Sequence, residues 1–347
     1  MSPPSTGFLV DDRLLAHDEP EHNENARRLV AILALLERSG IRSELRALPV
    51  RLATEREIAA VHDRRLIELI QMLAYEGGSW IDGDTYVTAD SWTAVSCAAG
   101  AVVGATEAVI RGEVSNAFAL VRPPGHHATR SRAMGFCLVN HVAIAARYAL
   151  DVLGLERLAI VDWDTHHGNG TQDIFYEDPR VLYCSSHTWP LFPGTGHWRE
   201  MGQGAGHGTT LNVPMPYYSG DDDFDLVYDR AILPAVERFK PELIIVSAGY
   251  DSHWADPLAP MNASVSGYAR LAQSVYQLAE RVCSVRLVCA LEGGYDLQAL
   301  AACVLATLRV LQGHAELVED PLGARGARPT DVAKIVEALR REHPLLL

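Results

Sequence analysis

The sequence predicts an α/β fold with a single open parallel sheet and helices on both faces. Two observations support this fold class. Short apolar runs of strand length alternate with longer segments whose apolar residues recur at helical spacing. Four of the runs end in glycine beside acidic, histidine or tyrosine side chains, as strands do where parallel sheets bind ligands. No linker divides the 347 residues, so we expect one domain over residues 1–347.

The predicted strands are short, apolar and rich in β-branched residues. They cover residues 8–10, 117–121, 158–161, 181–184, 243–248 and 286–291. The first strand leads into an acidic, histidine-containing loop over residues 11–25, which we expect to be too polar for the core.

Six segments have the apolar spacing of amphipathic helices. They are residues 27–39, 55–75, 93–111, 138–153, 223–239 and 266–282. Gly40 stands where a C-cap glycine belongs, and Ser266 is the expected N-cap of the last segment. The Gly-rich stretch over residues 76–90 is predicted as a loop.

Composition and charge exclude several classes of protein. The net charge is −14, and Lys and Arg form no cluster, which argues against a general nucleic-acid binder. No window approaches the length of a membrane span and no signal segment opens the chain, so we expect a cytoplasmic protein without a membrane partner. The cysteines lack CxxC spacing and are expected to be free, buried thiols; they are Cys97, Cys137, Cys184, Cys283, Cys289 and Cys303.

The stretch 158–170, LAIVDWDTHHGNG, carries the strongest chemical signal. Alternate side chains of an extended segment point the same way, so Asp162, Asp164 and His166 can share one face. Asp164 and His166 could then hold one metal ion. An acid and a histidine two residues apart also occur in solvated loops, so this pair alone is a weak signal.

Three other predicted strands end in comparable residues. His126 and His127 follow the strand at 117–121, Asp251 follows 243–248, and Tyr295 follows 286–291. Each is ambiguous alone, since a turn or a helix cap would use the same residue types. The carboxyl ends of parallel strands open on one edge of the sheet, so one crevice could collect all of these side chains.

These residue types together suit hydrolysis of an amide or ester. Asp164, His166 and Asp251 form a three-ligand set that leaves a position open for water and substrate, as in catalytic zinc sites. A neutral histidine, His126 or His127, can accept the proton of the attacking water. The hydroxyl of Tyr295 can stabilise the oxyanion that forms on the carbonyl.

The chain resembles the zinc-dependent histone deacetylases and their bacterial relatives, the acetylpolyamine amidohydrolases and deacetylase-like amidohydrolases. Six motifs match in order: RPPGHH from Arg122, GFC from Gly135, DWDTHHGNG from Asp162, FPGTG from Phe192, NVP from Asn212 and EGGY from Glu292. The resemblance spans nearly the whole chain and is closer to class II than to class I. It implies the arginase-like fold with an eight-stranded parallel sheet.

The resemblance also implies roles for particular residues. Asp164, His166 and Asp251 would bind one catalytic zinc ion, and His127 would act as general base and acid. His126 would be its electrostatic partner, oriented by Asp162, and Tyr295 would polarise the substrate carbonyl.

Asn169 stands behind His127 where class I enzymes have an aspartate, and a neutral partner should leave His127 less basic. The acyl-lysine channel would be lined by Gly135, Phe136, Phe192 and Leu258. A structural potassium ion is implied near Asp162, Asp164, His166 and Ser185.

The two-metal arginases share this fold but require further carboxylates beyond the ligand histidine and the later aspartate. This chain has Gly168 and His253 at those positions. We therefore expect one catalytic metal ion.

The expected substrate is Nε-acyl-lysine in a protein or peptide, or a similar small acylamide. The rival enzyme is an acetylpolyamine deacetylase, which should place a carboxylate at the channel rim, where Leu258 supplies none. Other acids could reach the rim: Asp12, Asp18, Glu19, Glu21 or Asp256. The rival from another class is a non-catalytic acyl-lysine-binding scaffold, although no ligand or tyrosine is missing here. The sequence does not determine the oligomeric state and is compatible with a homo-oligomer.

Overall fold

The computed structural model describes residues 5–326 and 328–347. In that part of the chain eight strands form one sheet, and all its neighbouring strands pair in parallel. Two further strands form a separate antiparallel hairpin. The strands are β1 (Thr6–Leu9), β2 (Arg46–Ala47), β3 (Gly78–Trp80), β4 (Tyr86–Thr88), β5 (Asn116–Ala119), β6 (Leu158–Asp162), β7 (Val181–Thr188), β8 (Thr210–Met215), β9 (Ile244–Ala248) and β10 (Leu287–Leu291).

The strand order across the large sheet is β2-β1-β5-β10-β9-β6-β7-β8. Every residue of β6, β9 and β10 is buried. Burial on both faces explains why these strands are continuous apolar runs and do not alternate with polar residues. The predicted α/β fold with an eight-stranded parallel sheet is confirmed.

Helices surround this sheet. They are α1 (Arg27–Arg38), α2 (Glu55–Ala59), α3 (Arg64–Tyr75), α4 (Ser91–Ile110), α5 (His141–Asp151), α6 (Asn169–Phe175), α7 (Asp221–Val227), α8 (Leu233–Phe239), α9 (Val265–Cys283), α10 (Leu297–Leu311) and α11 (Val332–Glu342). One π-helical turn, Tyr228–Ile232, joins α7 to α8. Short 3₁₀ turns lie at Asp12–Ala16, Ile41–Ser43, Gly204–Gly206 and Ala315–Leu317.

The predicted helix over residues 55–75 is wrong, because the structure has two helices there. Thr54 starts α2 with a capping box, and the chain leaves the helical path before α3. The break occurs at His62, whose Nδ1 lies 2.9 Å from the Thr129 carbonyl oxygen and whose Nε2 accepts from the Asn140 N–H at 2.8 Å. These tertiary hydrogen bonds outweigh the local helical preference.

The other five predicted segments are helical, with boundaries shifted by a few residues, and the segment 223–239 consists of α7 and α8 joined by the π-helical turn. Gly40 has the left-handed φ of +75° that a glycine after a helix permits. The N-cap of α9 is Ser264 and not Ser266, since the Ser264 side chain accepts from the Gly267 N–H at 3.0 Å.

Sequence reasoning missed several elements: β2, the β3–β4 hairpin, β8, α6, α10 and α11. The hairpin lies in the segment predicted as a Gly-rich loop. The β8 strand contains Pro214, which argues against a central strand. It is tolerated because β8 is the last strand of the sheet and pairs only with β7.

The expectation that no segment reaches the length of a membrane span is also wrong. The α4 helix has 20 residues and is apolar enough to cross a membrane by length and composition. Most of it is buried inside the fold, where it contacts β1, β5 and β10. A core helix of a globular protein passes the same test, so α4 is weak support for a membrane span.

The polar loop over residues 11–25 was expected outside the core, but part of it is buried. Leu14, His17, Glu24 and Asn25 are all buried. Burial of the charged Glu24 is possible because two guanidinium groups contact it. The prediction for the cysteines is confirmed, because all six are free and buried.

One left-handed residue gives a test of local strain. Ser284 ends α9 with φ 55° and ψ 42°, a conformation that costs a non-glycine residue about 1 kcal/mol. We expect Ser284→Gly to raise the free energy of unfolding by about 1 kcal/mol in urea denaturation. Ser274→Gly, inside the same helix, should instead lower it by about 0.5 kcal/mol. A change of the free energy of unfolding in the same direction for both variants would contradict the assignment of strain to Ser284.

Candidate functional site

A cavity of about 240 Å³ opens at the carboxyl edge of the sheet. It contains all four residues predicted to form the channel, together with both histidines of the pair, the ligand histidine and the tyrosine. The lining residues are Asp84, Pro124, His126, His127, Gly135, Phe136, His166, Leu191, Phe192, Leu258 and Tyr295. The loops after β5, β6 and β10 thus meet at one edge, as the parallel topology requires.

Gly135 lets the channel be narrow. Its φ is +57°, and a Cβ atom there would lie 2.6 Å from Cδ2 of His127 and 2.8 Å from Cε1 of Phe192. A larger residue would therefore collide with both walls. The rings of His127 and Phe192 are 5.1 Å apart, and those of Phe136 and Tyr295 are 5.7 Å apart, both edge to face.

The three predicted metal ligands converge beneath this cavity. His166 Nδ1 lies 3.2 Å from Asp164 Oδ1 and 3.0 Å from Asp251 Oδ2. The ligand atoms of the three residues all lie within 4.8 Å of one another. Gly249 permits this approach, since a Cβ atom there would be 2.0 Å from Asp164 Oδ2.

The electrostatics of this group favour a bound cation. Burial, and then the charge of Asp164, raises the pKa of Asp251 to about 6. Burial opposes a charge on His166, but its hydrogen bonds to Asp164 and Asp251 prevail and raise its pKa to about 10. Two buried carboxylates thus require a positive charge between them. Two carboxylates and one imidazole are a donor set that suits a divalent metal ion.

The two histidines of the pair have opposite character although their rings are 4.0 Å apart. Burial opposes protonation of His126, but the charges of Asp164 and Asp162 prevail and raise its pKa to about 10. Burial, and then the positive charge of His126, lowers the pKa of His127 well below 6.5. One ring is therefore cationic and the other neutral at neutral pH.

Their hydrogen bonds orient the two rings. His126 Nδ1 lies 3.1 Å from Asp162 Oδ2, and His127 Nδ1 lies 2.8 Å from Asn169 Oδ1. With the Asn169 oxygen accepting, His127 carries its proton on Nδ1 and leaves Nε2 as an acceptor. Asp162 thus contacts His126, and Asn169 contacts His127.

Glu292 is a site residue whose role sequence reasoning missed. Its carboxylate accepts from the Gly125 N–H at 2.6 Å and the His126 N–H at 3.2 Å, and the Ser247 hydroxyl donates to it at 3.2 Å. Burial raises its pKa to about 7. The residue was visible in the EGGY motif, but only the structure shows that it fixes the backbone of the histidine pair.

Asp84 and Leu191 are the other lining residues that the sequence did not reveal. Asp84 is exposed in the turn between β3 and β4, a segment predicted as a Gly-rich loop. The acids expected at the rim were Asp12, Asp18, Glu19, Glu21 and Asp256. The structure places Asp84, which was not among them, in the lining of the pocket.

A buried ion cluster supports the edge of the pocket. Arg122 donates two hydrogen bonds to the Glu24 carboxylate, from Nε at 2.9 Å and from Nη2 at 2.8 Å. Arg28 Nη1 donates a third to the same carboxylate at 3.2 Å. Arg28 also donates to the carbonyl oxygens of Gly294 and Glu292, at 2.7 and 2.5 Å. Its Cζ lies 4.9 Å from the centre of the Tyr295 ring.

Burial favours the neutral form of Glu24, but Arg122 and Arg28 prevail and lower its pKa to about 2. The carboxylate is therefore charged at neutral pH. Since Arg28 binds the backbone on both sides of Gly293, the cluster fixes the turn that carries Tyr295.

The residues predicted to bind potassium are also adjacent. Asp162 and Ser185 face each other in the register of β6 and β7. The Asp164 N–H donates to Asp162 Oδ1 at 3.2 Å, and the His166 N–H donates to Asp164 Oδ1 at 2.9 Å. Ser185 Oγ lies 2.9 Å from His187 Nδ1. The potassium site stays a prediction.

The sheet and the pocket define an α/β protein whose site can hold a divalent cation. The family model described as "Histone deacetylase domain" matches residues 22–311. The chain belongs to the histone deacetylase family. The resemblance on which the sequence analysis relied is therefore confirmed.

Relatives of this chain carry related names. A "Probable deacetylase" of Archaeoglobus fulgidus is 40% identical over 297 residues, which cover 84% of this chain and 82% of the relative. A "Histone deacetylase-like amidohydrolase" of Pseudomonas aeruginosa is 37% identical over 320 residues, covering 92% and 83%. The solved structure of the HDA15 HD domain matches with a TM-score of 0.89 and 34% identity, covering 99% of this chain and 96% of that one. The arginase-like fold is confirmed.

The ion cluster gives a test of stability. Glu24→Gln keeps the shape of the side chain but leaves Arg122 and Arg28 buried without their carboxylate. We expect the free energy of unfolding to fall by about 3–5 kcal/mol in urea denaturation. Glu21→Gln removes the same charge from an exposed position and should cost less than about 0.5 kcal/mol. Equal effects of the two variants would show that the cluster is not needed for stability.

Proposed function

We propose that the protein is a zinc-dependent amide hydrolase that removes acyl groups, acetyl above all, from Nε-acyl-lysine or a similar acylamide. The observation that carries the proposal is the placement of three metal-ligating side chains, a neutral His127 and Tyr295 around one narrow channel. Membership of the histone deacetylase family supports hydrolysis of an amide at this site.

The residues present fit a zinc ion. Asp164, His166 and Asp251 bring two carboxylate oxygens and one imidazole nitrogen together, and the cavity lies beside His166 on the open side. Three protein ligands and one open position are typical of catalytic zinc sites. When bound there, zinc would supply Lewis-acid polarisation of the substrate carbonyl and would acidify the attacking water.

His127 is the proposed proton carrier. Its Nε2 is the free acceptor, so it can take the proton of the attacking water. His127 then donates that proton to the nitrogen of the leaving amine. His126 lies beside His127 and gives electrostatic support to the negative charge that develops during this transfer, and Asp162 holds the His126 ring in place.

Tyr295 is the proposed hydrogen-bond donor to the carbonyl oxygen. Burial raises the pKa of its hydroxyl well above 10, so it stays protonated. Its ring is held between Arg28 and Phe136. The hydroxyl makes no hydrogen bond to another residue in the part of the chain that the structure describes, which leaves it available to the substrate.

The channel suits the four-carbon stem of lysine. Phe136 and Phe192 present apolar surface above the histidines, and Leu258 lies at the rim. An apolar channel with a few polar groups at its base is the usual form of a small-molecule site. A scaffold without catalysis is disfavoured, because none of the metal ligands, histidines or tyrosine expected from the family's motifs is missing from the sequence.

The second candidate is deacetylation of a small acetylated polyamine. Asp84 favours it, because a carboxylate at the pocket lining could bind an ammonium group farther along the chain of such a substrate. The same carboxylate can accept a backbone N–H of a peptide, so Asp84 serves either substrate. We retain acyl-lysine as the primary substrate because the rim residue Leu258 is apolar.

We also propose a cytoplasmic location.

The first test separates catalysis from metal binding. We expect Tyr295→Phe to lower kcat on an acetyl-lysine peptide by about a hundredfold while the bound zinc stays stoichiometric, because only the oxyanion donor is lost. Zinc is measured by elemental analysis of the purified protein. Asp251→Ala is the contrasting variant and should lose both zinc and activity, since two protein ligands remain. Normal turnover in Tyr295→Phe, or full zinc in Asp251→Ala, would refute the corresponding role.

The second test concerns the substrate. We expect kcat/KM for an acetyl-lysine peptide to exceed that for acetylputrescine and acetylspermidine at low and at physiological salt. Asp84→Asn should reduce hydrolysis of the polyamines more than that of a neutral peptide, because the polyamines carry the additional positive charges. A preference for the polyamines that weakens as salt rises would support the second candidate instead.

A further inference from the structure

A second groove adjoins the mouth of the channel. It has a volume of about 340 Å³, and the residues that matter here are Tyr218, Trp254, Asp256, Leu258, Met261 and Arg325. We call it the rim groove. Leu258 lines both the rim groove and the channel, so the two cavities meet at the rim.

The rim groove is built on the segment that holds the catalytic tyrosine. Asp256 accepts from the backbone N–H groups of Tyr295 at 2.7 Å, Asp296 at 3.3 Å and Leu258 at 2.9 Å. This carboxylate is therefore occupied by backbone donors. It fixes the position of the groove relative to the site of chemistry.

Aromatic side chains and backbone hydrogen bonds fix the other wall. The Tyr218 N–H donates to the Pro260 carbonyl at 2.7 Å, and the Asn262 side chain donates to the Tyr218 carbonyl at 3.1 Å. Trp254 Nε1 donates to the Gly323 carbonyl at 2.8 Å, which ties the segment before Arg325 to this wall.

Two arginines give the groove a positive charge. Arg325 lines it, and the guanidinium carbon of Arg328 lies 4.1 Å from the centre of the Tyr218 ring. Within residues 5–326 and 328–347, neither arginine forms a salt bridge with a carboxylate. Both are exposed.

We propose that the rim groove binds the carboxylate of an acidic residue that flanks the acyl-lysine in a peptide or protein substrate. This inference deepens the proposed function and rests on it. Guanidinium groups bind carboxylates with paired, charge-assisted hydrogen bonds. An extended peptide advances about 3.3–3.6 Å per residue, so a residue one to three positions from the lysine can reach a cavity that shares Leu258 with the channel.

The charges around the mouth are therefore asymmetric. Asp84 lies at the channel on the β3–β4 side, and Arg325 and Arg328 lie beyond Leu258. A polyamine has only positive groups and gains nothing from the arginines. A peptide with a glutamate beside the acyl-lysine can use them, so this arrangement selects the sequence context of the lysine.

The test compares matched acetyl-lysine peptides with the full-length enzyme. One series carries Glu at one, two or three positions before or after the acetyl-lysine, and the other carries Gln there. We expect kcat/KM to be about fivefold higher for Glu than for Gln in at least one position at low salt, and the ratio to shrink as salt rises. The Arg325→Gln/Arg328→Gln variant should bring the ratio to about one.

The control variant is Arg38→Gln/Arg56→Gln, which removes two exposed arginines on α1 and α2 and should keep the wild-type ratio. Equal rates for Glu and Gln peptides in all positions, or a ratio that survives in Arg325→Gln/Arg328→Gln, would overturn the inference.

A failure of the proposed function gives a different result. In that case neither the peptides nor acetyl-lysine amide, which has no flanking residues, would be hydrolysed. Binding of the fluorescently labelled Glu and Gln peptides, followed by anisotropy, would then decide whether the groove recognises the acidic side chain. Equal affinities for the Glu and Gln peptides would overturn the inference that the rim groove binds an acidic side chain.

Discussion

The arrangement of the catalytic edge depends on one buried carboxylate. Glu24 comes from the N-terminal loop, Arg122 follows β5, and Arg28 lies on α1. Through Arg28 the same cluster reaches the turn after β10 that carries Tyr295. Such a cluster adds little net stability over an apolar replacement, but it is costly to break once formed. It therefore acts as a geometric constraint that holds loops from distant parts of the sequence in one position.

The histidine pair has a different physical basis, which favours one charged and one neutral imidazole side by side. The difference comes from their surroundings: the charges of Asp164 and Asp162 raise the pKa of His126, whereas burial and the charge of His126 lower the pKa of His127. Two like charges at a ring separation of 4.0 Å would repel strongly in a buried site, so protonation of the first ring suppresses protonation of the second. The proposed division of roles between acid–base chemistry and electrostatic support rests on this coupling.

Sequence reasoning pointed to the proposed metal ligands, the histidine pair and the tyrosine because each follows an apolar run of strand length. It failed where burial was decided by distant partners. Glu24 was assigned to a solvated loop because its arginines are not near it in sequence. Asp84 was missed because a short hairpin in a Gly-rich segment has no periodicity to detect. The β8 strand was missed because its proline, Pro214, argues against a strand. The helix predicted over residues 55–75 is two helices because His62 forms tertiary hydrogen bonds between them.

The strand order also determines how the molecule can be made. The β10 strand lies between β5 and β9 in the middle of the sheet, although it is the last strand in the chain. During synthesis the two halves of the sheet therefore remain unjoined until residue 291 has left the ribosome. Such non-local pairing slows folding and leaves apolar strand edges exposed in the meantime. Because the ligands come from β6 and β9 loops and the tyrosine from the β10 loop, a nascent chain gains its complete pocket only at this last step.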